Sequence, residues 1–120
     1  MGRLATVTPR GHPHIVPCCF AVAGERIYTA VDAKPKSTLA LARLDNIRAQ
    51  PAVSLLVDHY EDDWDQLWWV RVDGVAHIGE SDGRRAEALA ALAAKYEQYR
   101  ESAPPGPVIV IESLAWRWWP

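Results

Sequence analysis

Residues 67–80, "LWWVRVDGVAHIGE", read as one long strand. Taking every second residue puts Trp68, Val70, Val72, Gly74, Ala76 and Ile78 on one face. Trp69, Arg71, Asp73, Val75 and His77 fall on the other. The first face is apolar throughout and is expected to be core. The second is mixed and is expected to meet solvent, a ligand or another chain. Gly74 marks a bend or bulge, which a strongly curved strand in a small barrel requires.

Working outward from it, "AVSLLVDHY" before the acidic loop "EDDWDQ" is another strand, and "VIVIESLAWRWW" is the last one. "RLATVTPRGHPHIVPCCFAV" reads as two strands joined at Pro9-Arg10-Gly11. Gly24 turns the chain into a third, "RIYTAVD", so these three are expected to form a meander. Two helices interrupt the strands. The first follows "DAKPK", with Ser37 as its N-cap, and stops by Pro51. On it Thr38, Leu41, Leu44 and Ile47 share a row, leaving Arg43 and Arg48 off it. The second is "SDGRRAEALAALAAKYEQYRES", capped by Ser81 or Asp82, with Leu89, Leu92, Ala93 and Tyr96 as its apolar stripe. "APPGP" is a stiff connector to the last strand. The order β-β-β-α-β-β-α-β argues against a doubly wound α/β sheet and for a small six-stranded antiparallel barrel closed by two helices.

At 120 residues the chain is one domain, 1–120, with enough apolar content for one core. The net charge of −2 gives no general pull toward nucleic acid or an anionic membrane, and the basic residues form no stripe. No run approaches the ~20 apolar residues of a membrane span, and a cytoplasmic location is the expectation. The two cysteines, Cys18 and Cys19, are adjacent, too close across a trans peptide for a disulfide. Six tryptophans are many for this length, and five sit at Trp68-Trp69 and Trp116-Trp118-Trp119.

Lys34, Lys36 and Ser37 stand where the first helix begins. Free N–H groups and the positive end of the helix dipole, with two ammonium groups and a hydroxyl, make an anion seat. A solvated turn is the competing reading. His12 and His14 are two apart, but no third metal ligand has convincing spacing, so surface or core histidines are favoured. The acidic residues Glu61, Asp62, Asp63 and Asp65 do not have EF-hand spacing and read as a solvated face. No nucleophile elbow is present, and strand-borne Cys18 or Cys19 reads as a small hydrophobe. An enzyme without a visible nucleophile, base or metal must borrow its chemistry from a bound redox cofactor.

The whole chain resembles the split β-barrel flavin and deazaflavin reductases, the pyridoxamine-phosphate-oxidase-like class. Within that class it is most similar to a group of small deazaflavin-dependent (coenzyme F-420) proteins. The likeness is carried by "LATVTPRGHPHIVP", "IYTAVDAKPK", "LDNIRAQPAVSLLVDHYEDDW" and "LWWVRVDG". It implies a mainly β (α+β) split barrel, homodimeric, with cofactor grooves between two copies. It also implies hydride transfer between the cofactor and a small unsaturated or quinone-like compound. FMN is the alternative cofactor, and a non-catalytic carrier of a planar ligand is the alternative role.

Matched residue by residue, the resemblance puts Tyr28 and Thr29 under the cofactor phosphate. Lys34 and Lys36 match the phosphate-holding basic residues when counted from the strand. Arg43, with Asn46, matches when counted back from Pro51. Pro17 and Cys18 fall where backbone meets the ring, and Trp69 replaces a glutamine of the oxidase branch. Relatives usually carry a helix ahead of the first strand, whereas this sequence opens almost on it.

Overall fold

The structure, a computed structural model, describes residues 1–31, 38–80 and 82–120. Its strands are β1 (Gly2–Val7), β2 (Pro13–Cys18), β3 (Ala21–Ala23), β4 (Arg26–Ala30), β5 (Ala52–His59), β6 (Trp68–Gly79) and β7 (Val108–Trp119). The helices are α1 (Thr38–Ala49), α2 (Gly83–Lys95) and α3 (Glu97–Glu101). All strand pairs are antiparallel, in the order β2-β1-β5-β6-β7-β4-β3.

That order forces a barrel. β2 and β3 are the two outer strands of the series, yet only Cys19 and Phe20 separate them in the chain. A flat sheet would hold these edges about 29 Å apart, six spacings of about 4.8 Å. Three Cα–Cα steps reach at most about 11 Å. The sheet must therefore curl until its edges approach one another.

The mainly β, antiparallel class expected from the sequence is the one observed, with three corrections. Among the described residues there are seven strands rather than six, and the first three do not form a meander. "PHIVPCCFAV" breaks after Cys18 because the link is pinned from outside. The Tyr96 hydroxyl donates to Phe20 O (3.0 Å) and accepts from Phe20 N (3.2 Å), and Lys95 Nζ donates to Phe20 O (2.6 Å). Lys95 also lies 3.9 Å over the Phe20 ring. β3 then turns at Gly24, with φ of 61°, to pair with β4 instead of continuing β2. The α-helices among the described residues number three rather than two. Tyr96 is extended (φ −116°, ψ 121°) and separates α2 from α3 while its hydroxyl reaches Phe20.

The interior holds Leu4, Ile27, Leu55, Val72, Ala76, Ile109 and Ile111, closed at one end by Leu44 and Ile47 of α1. The other row of β4 and β7 points outward, where Tyr28, Ala30, Val108 and Val110 are covered by Ala88 and Leu92 of α2. This explains the unbroken apolar run "VIVI": that part of β7 is buried on both faces. Asp82 caps α2 by accepting from Arg85 N (3.3 Å), while Ser81 lies outside the described residues. α1 ends at Ala49, ahead of Pro51 as expected.

On β6, Val72 and Ala76 are buried, as the alternation predicts, but Trp68 is 42% exposed. It sits where β6 runs past the end of the barrel core. Gly74 is the bend: the β6–β7 register shifts between Asp73 and Val75, and Ser113 opposite takes a φ of 55°.

The outer surface is thus covered on one half only. Over β2, β1, β5, the first half of β6 and the end of β7 no helix lies on it among the described residues. Ile15 (62% exposed), Pro17, Leu56, Trp69 and Trp119 look outward there. No helix among the described residues is long and apolar enough to cross a membrane.

Candidate functional site

Three of the residues singled out from sequence converge inside the barrel mouth. Cys18 ends β2 on its inward row and is 7% exposed. Thr29 shares the inward row of β4 with Ile27, is 1% exposed, and donates from Oγ1 to Cys19 O at 2.7 Å. Arg43 of α1 acts on the Cys18 thiol through its charge. Burial lifts that thiol above its ordinary pKa, while the Thr29 hydrogen bond and the Arg43 charge pull it partway back. The Arg43 Nε is buried without a hydrogen-bond partner among the described residues. A buried guanidinium N–H left unmated costs free energy unless an acceptor arrives, so this corner suits an anion.

The remaining expected residues scatter. Tyr28 follows β4 alternation to the opposite side from Thr29, under α2, where its hydroxyl donates to Glu87 Oε2 at 3.3 Å. Asn46 is 3% exposed, and its Nδ2 donates to Thr6 Oγ1 at 3.0 Å, tying α1 to β1. Pro17 is outward and exposed, paired with Arg3. Trp69 is also outward, paired with Asp58 and Trp119. Lys34, Lys36 and Ser37 lie outside the described residues; they directly precede α1 in the sequence.

Sequence reasoning weighed His14 with His12 and favoured a surface or core histidine. His14 occupies the same inward row of β2 as Val16 and Cys18, and its Nδ1 is buried without a partner. β2 begins at Pro13, so His14 lies on the strand while His12 stays exposed on the turn before it. Among the described residues, no three His, Cys, Asp or Glu side chains gather as a metal site would need. The acidic loop is exposed, folded as a short 3-10 turn over Trp64–Gln66 with Asp63 accepting from Asp65 N.

A second feature lies at the free end of β5, β6 and β7. A hollow of about 340 Å³ is lined by Asp58, His59, Tyr60, Leu67, Trp68, Trp69 and Trp119. His59 stacks on Trp68 with ring centroids 6.0 Å apart and meets Glu61 Oε1 at 2.7 Å. Next to it, Leu56, Asp58, Trp69 and Arg71 line another hollow, of about 370 Å³. These volumes are in the range of small-molecule sites.

The buried thiol makes a measurable prediction. Because the folded-state pKa of Cys18 is raised, the unfolded chain loses this proton first. Its stabilising contribution is whole below the ordinary thiol value of about 8.5 and falls as pH rises beyond it. Urea midpoints taken at neutral pH and again in alkali should drop more for the parent than for Cys18→Val. Equal drops would mean the thiol is not buried in solution.

The curled antiparallel sheet is a split barrel of a known class. The chain belongs to the pyridoxamine 5'-phosphate oxidase family, which matches residues 1–119. A conserved hypothetical protein from Mycobacterium tuberculosis is similar in structure, with a TM-score of 0.75 and 25% identity over 98% of this chain and 75% of that one. HutZ, the heme storage protein from Vibrio cholerae, superposes with a TM-score of 0.73 at 18% identity, over 97% of this chain and 83% of that one. A heme binding protein from Mycobacterium smegmatis does so at 0.73 and 19%, over 98% of this chain and 48% of that one. At such identities the last two share the fold alone. No curated protein matches the sequence.

Proposed function

We propose that this protein binds coenzyme F-420 and acts as a deazaflavin-dependent oxidoreductase on a small unsaturated or quinone-like compound. It works as a homodimer whose copies meet on the uncovered half of the sheet. The observation that carries the reading is the Arg43 Nε, buried and unmated beside Cys18 and Thr29. It fits an anionic group of the cofactor, and Lys34, Lys36 and Ser37 come just before the helix that carries it. When bound, the deazaflavin supplies the hydride. The chain's part is to hold the anion at Arg43, to keep water out with the Cys18–Thr29 wall, and to offer Trp69 on the outer face as an aromatic wall. Asn46 does not touch the cofactor in this reading. It fixes the pitch of α1, and so the place of Arg43, through Thr6.

The test is titration with reduced coenzyme F-420 followed by tryptophan fluorescence. Arg43→Met keeps the aliphatic bulk and is expected to weaken binding by about 1.5–3 kcal/mol, the worth of a charged hydrogen bond, with melting little changed. Lys34→Ala with Lys36→Ala is expected to act in the same direction. Unaltered affinity in both variants would remove the anion seat. Binding of FMN but not F-420 would move the assignment to the flavin alternative. Tight binding without turnover of quinones or enones would make the protein a carrier. The similar folds of the two heme proteins add heme to that carrier panel.

A further inference from the structure

We infer that the notch where β5 stops short beside β6 binds an N-acylated α-amino acid through its free carboxylate and its amide N–H. The notch lies between α1 and α2, away from the half of the sheet where the copies meet in the proposed dimer, and it uses none of Cys18, Thr29 or Arg43.

β6 runs to Gly79, whereas β5 begins at Ala52, opposite Val75. Past Val75, β6 therefore has β7 on one side and no strand on the other among the described residues. Ala76 N donates to Pro51 O at 2.8 Å, so Ala76 turns its backbone groups to the β5 side. Backbone direction alternates along a strand, and Ile78 turns its N–H and C=O to that same side. Neither finds a backbone partner there among the described residues. A free donor and acceptor on one residue match a ligand residue that carries both, as in an antiparallel ladder. β6 ends one residue later, so the edge has room for one such pair and not for a strand.

A hollow of about 440 Å³ opens on this edge, with Ile47, Pro51 and Val75 among its apolar walls. Of the charged side chains lining it, Glu80 is taken by Arg48 Nη2 at 3.2 Å. Arg84 has no carboxylate partner among the described residues. Its stem stands against the edge: a Cβ built on Gly79 would lie 3.1 Å from Arg84 Cβ. A guanidinium beside a free backbone N–H offers a carboxylate two donors. A cation would be repelled by Arg84, and a neutral amide would leave it unused. An N-acyl amino acid uses every group. Its carboxylate takes Arg84 and the Ile78 N–H, its amide N–H donates to Ile78 O, and an apolar side chain covers the walls.

The probes are N-acetyl-L-leucine, its amide and its N-methyl derivative, titrated into the intact protein by calorimetry near neutral pH. The acid should bind about ten- to hundredfold more tightly than the amide, because only the acid makes charged hydrogen bonds. N-methylation removes the donor to Ile78 O and should weaken the acid about three- to tenfold. Arg84→Gln should bring acid and amide to the same affinity. Arg84 is exposed in the first turn of α2, so this variant should melt with the parent. N-acetyl-Ala-Ala-Leu identifies the source of the ligand: affinity equal to that of N-acetyl-leucine marks a free acid, and higher affinity marks a peptide end. No binding of the acid, equal affinity for acid and amide, an N-methyl derivative that binds as well as the acid, or an Arg84→Gln variant that keeps the preference would each overturn the inference. Arg43→Met, which tests the cofactor corner, should leave this titration unmoved, so the two readings fail separately.

Discussion

Gly74→Ala is expected to destabilise the protein by about 3 kcal/mol, at the upper end of what overpacking costs. A Cβ at this position would lie 2.6 Å from Ile111 Cγ2, 2.8 Å from Glu112 O and 3.2 Å from Leu114 Cδ2. Leu114 can swing aside, but the other two cannot retreat cheaply. Ile111 is 1% exposed in the barrel interior, and the Glu112 oxygen belongs to the backbone of the paired strand. The added methyl must therefore push β7 away at the position where the ladder changes register and Ser113 already holds a φ of 55°. For a domain of this size the loss corresponds to a fall in melting temperature of about 10 °C. Gly83→Ala is the control. Its methyl meets nothing within 4 Å at the start of α2, and it should gain about 0.5 kcal/mol from reduced unfolded-state freedom. A Gly74→Ala variant that melts with the parent would show that the bend is not needed for the barrel.

Gly74 was legible because period-two alternation says which face a residue takes, and a glycine on an otherwise apolar face has a packing reason. The same rule placed Val72 and Ala76 inside, and the helical period placed Leu92 on the stripe that α2 buries. What the sequence hid depends on contacts far along the chain. Nothing local in "CCFA" says that Phe20 will be held by Tyr96 and Lys95, so β2 and β3 read as one strand. The same contact breaks the second helix at Tyr96, since one side chain serves both ends of the interaction. At the candidate site, alternation alone separates Tyr28 from Thr29, and pairing them went against it. The burial of Arg43 was not legible, because the helix row puts it beside Leu44 rather than among the core residues. Only the height at which α1 crosses the barrel mouth, set by Leu44, Ile47 and Asn46, brings its Nε out of water.

Leu92→Ala is expected to cost about 3 kcal/mol, within the range for deleting a fully buried leucine side chain. Leu92 is 0% exposed and sits with Ala88 against Tyr28, Ala30, Val108 and Val110. The cavity cannot close by local relaxation, because α2 is held at both ends. Asp82 caps its start, and Lys95 with Tyr96 fastens its end to Phe20. Arg85 adds a third tie, donating from Nε to Gly106 O and from Nη2 to Pro104 O on the connector before β7. Leu89→Ala, at a half-buried position on the same stripe, should cost about 1 kcal/mol. The difference bears on the site as well as on stability. β4 is pressed between α2 and the interior, so the packing that seats Tyr28 and Ala30 also keeps Thr29 facing Cys18. Hydrogen exchange of β4 amides should therefore quicken in Leu92→Ala more than exchange in β1 or β5, which α2 does not cover. Uniform acceleration across all strands would mean instead that the barrel opens only as a whole, with α2 as an inseparable part of it.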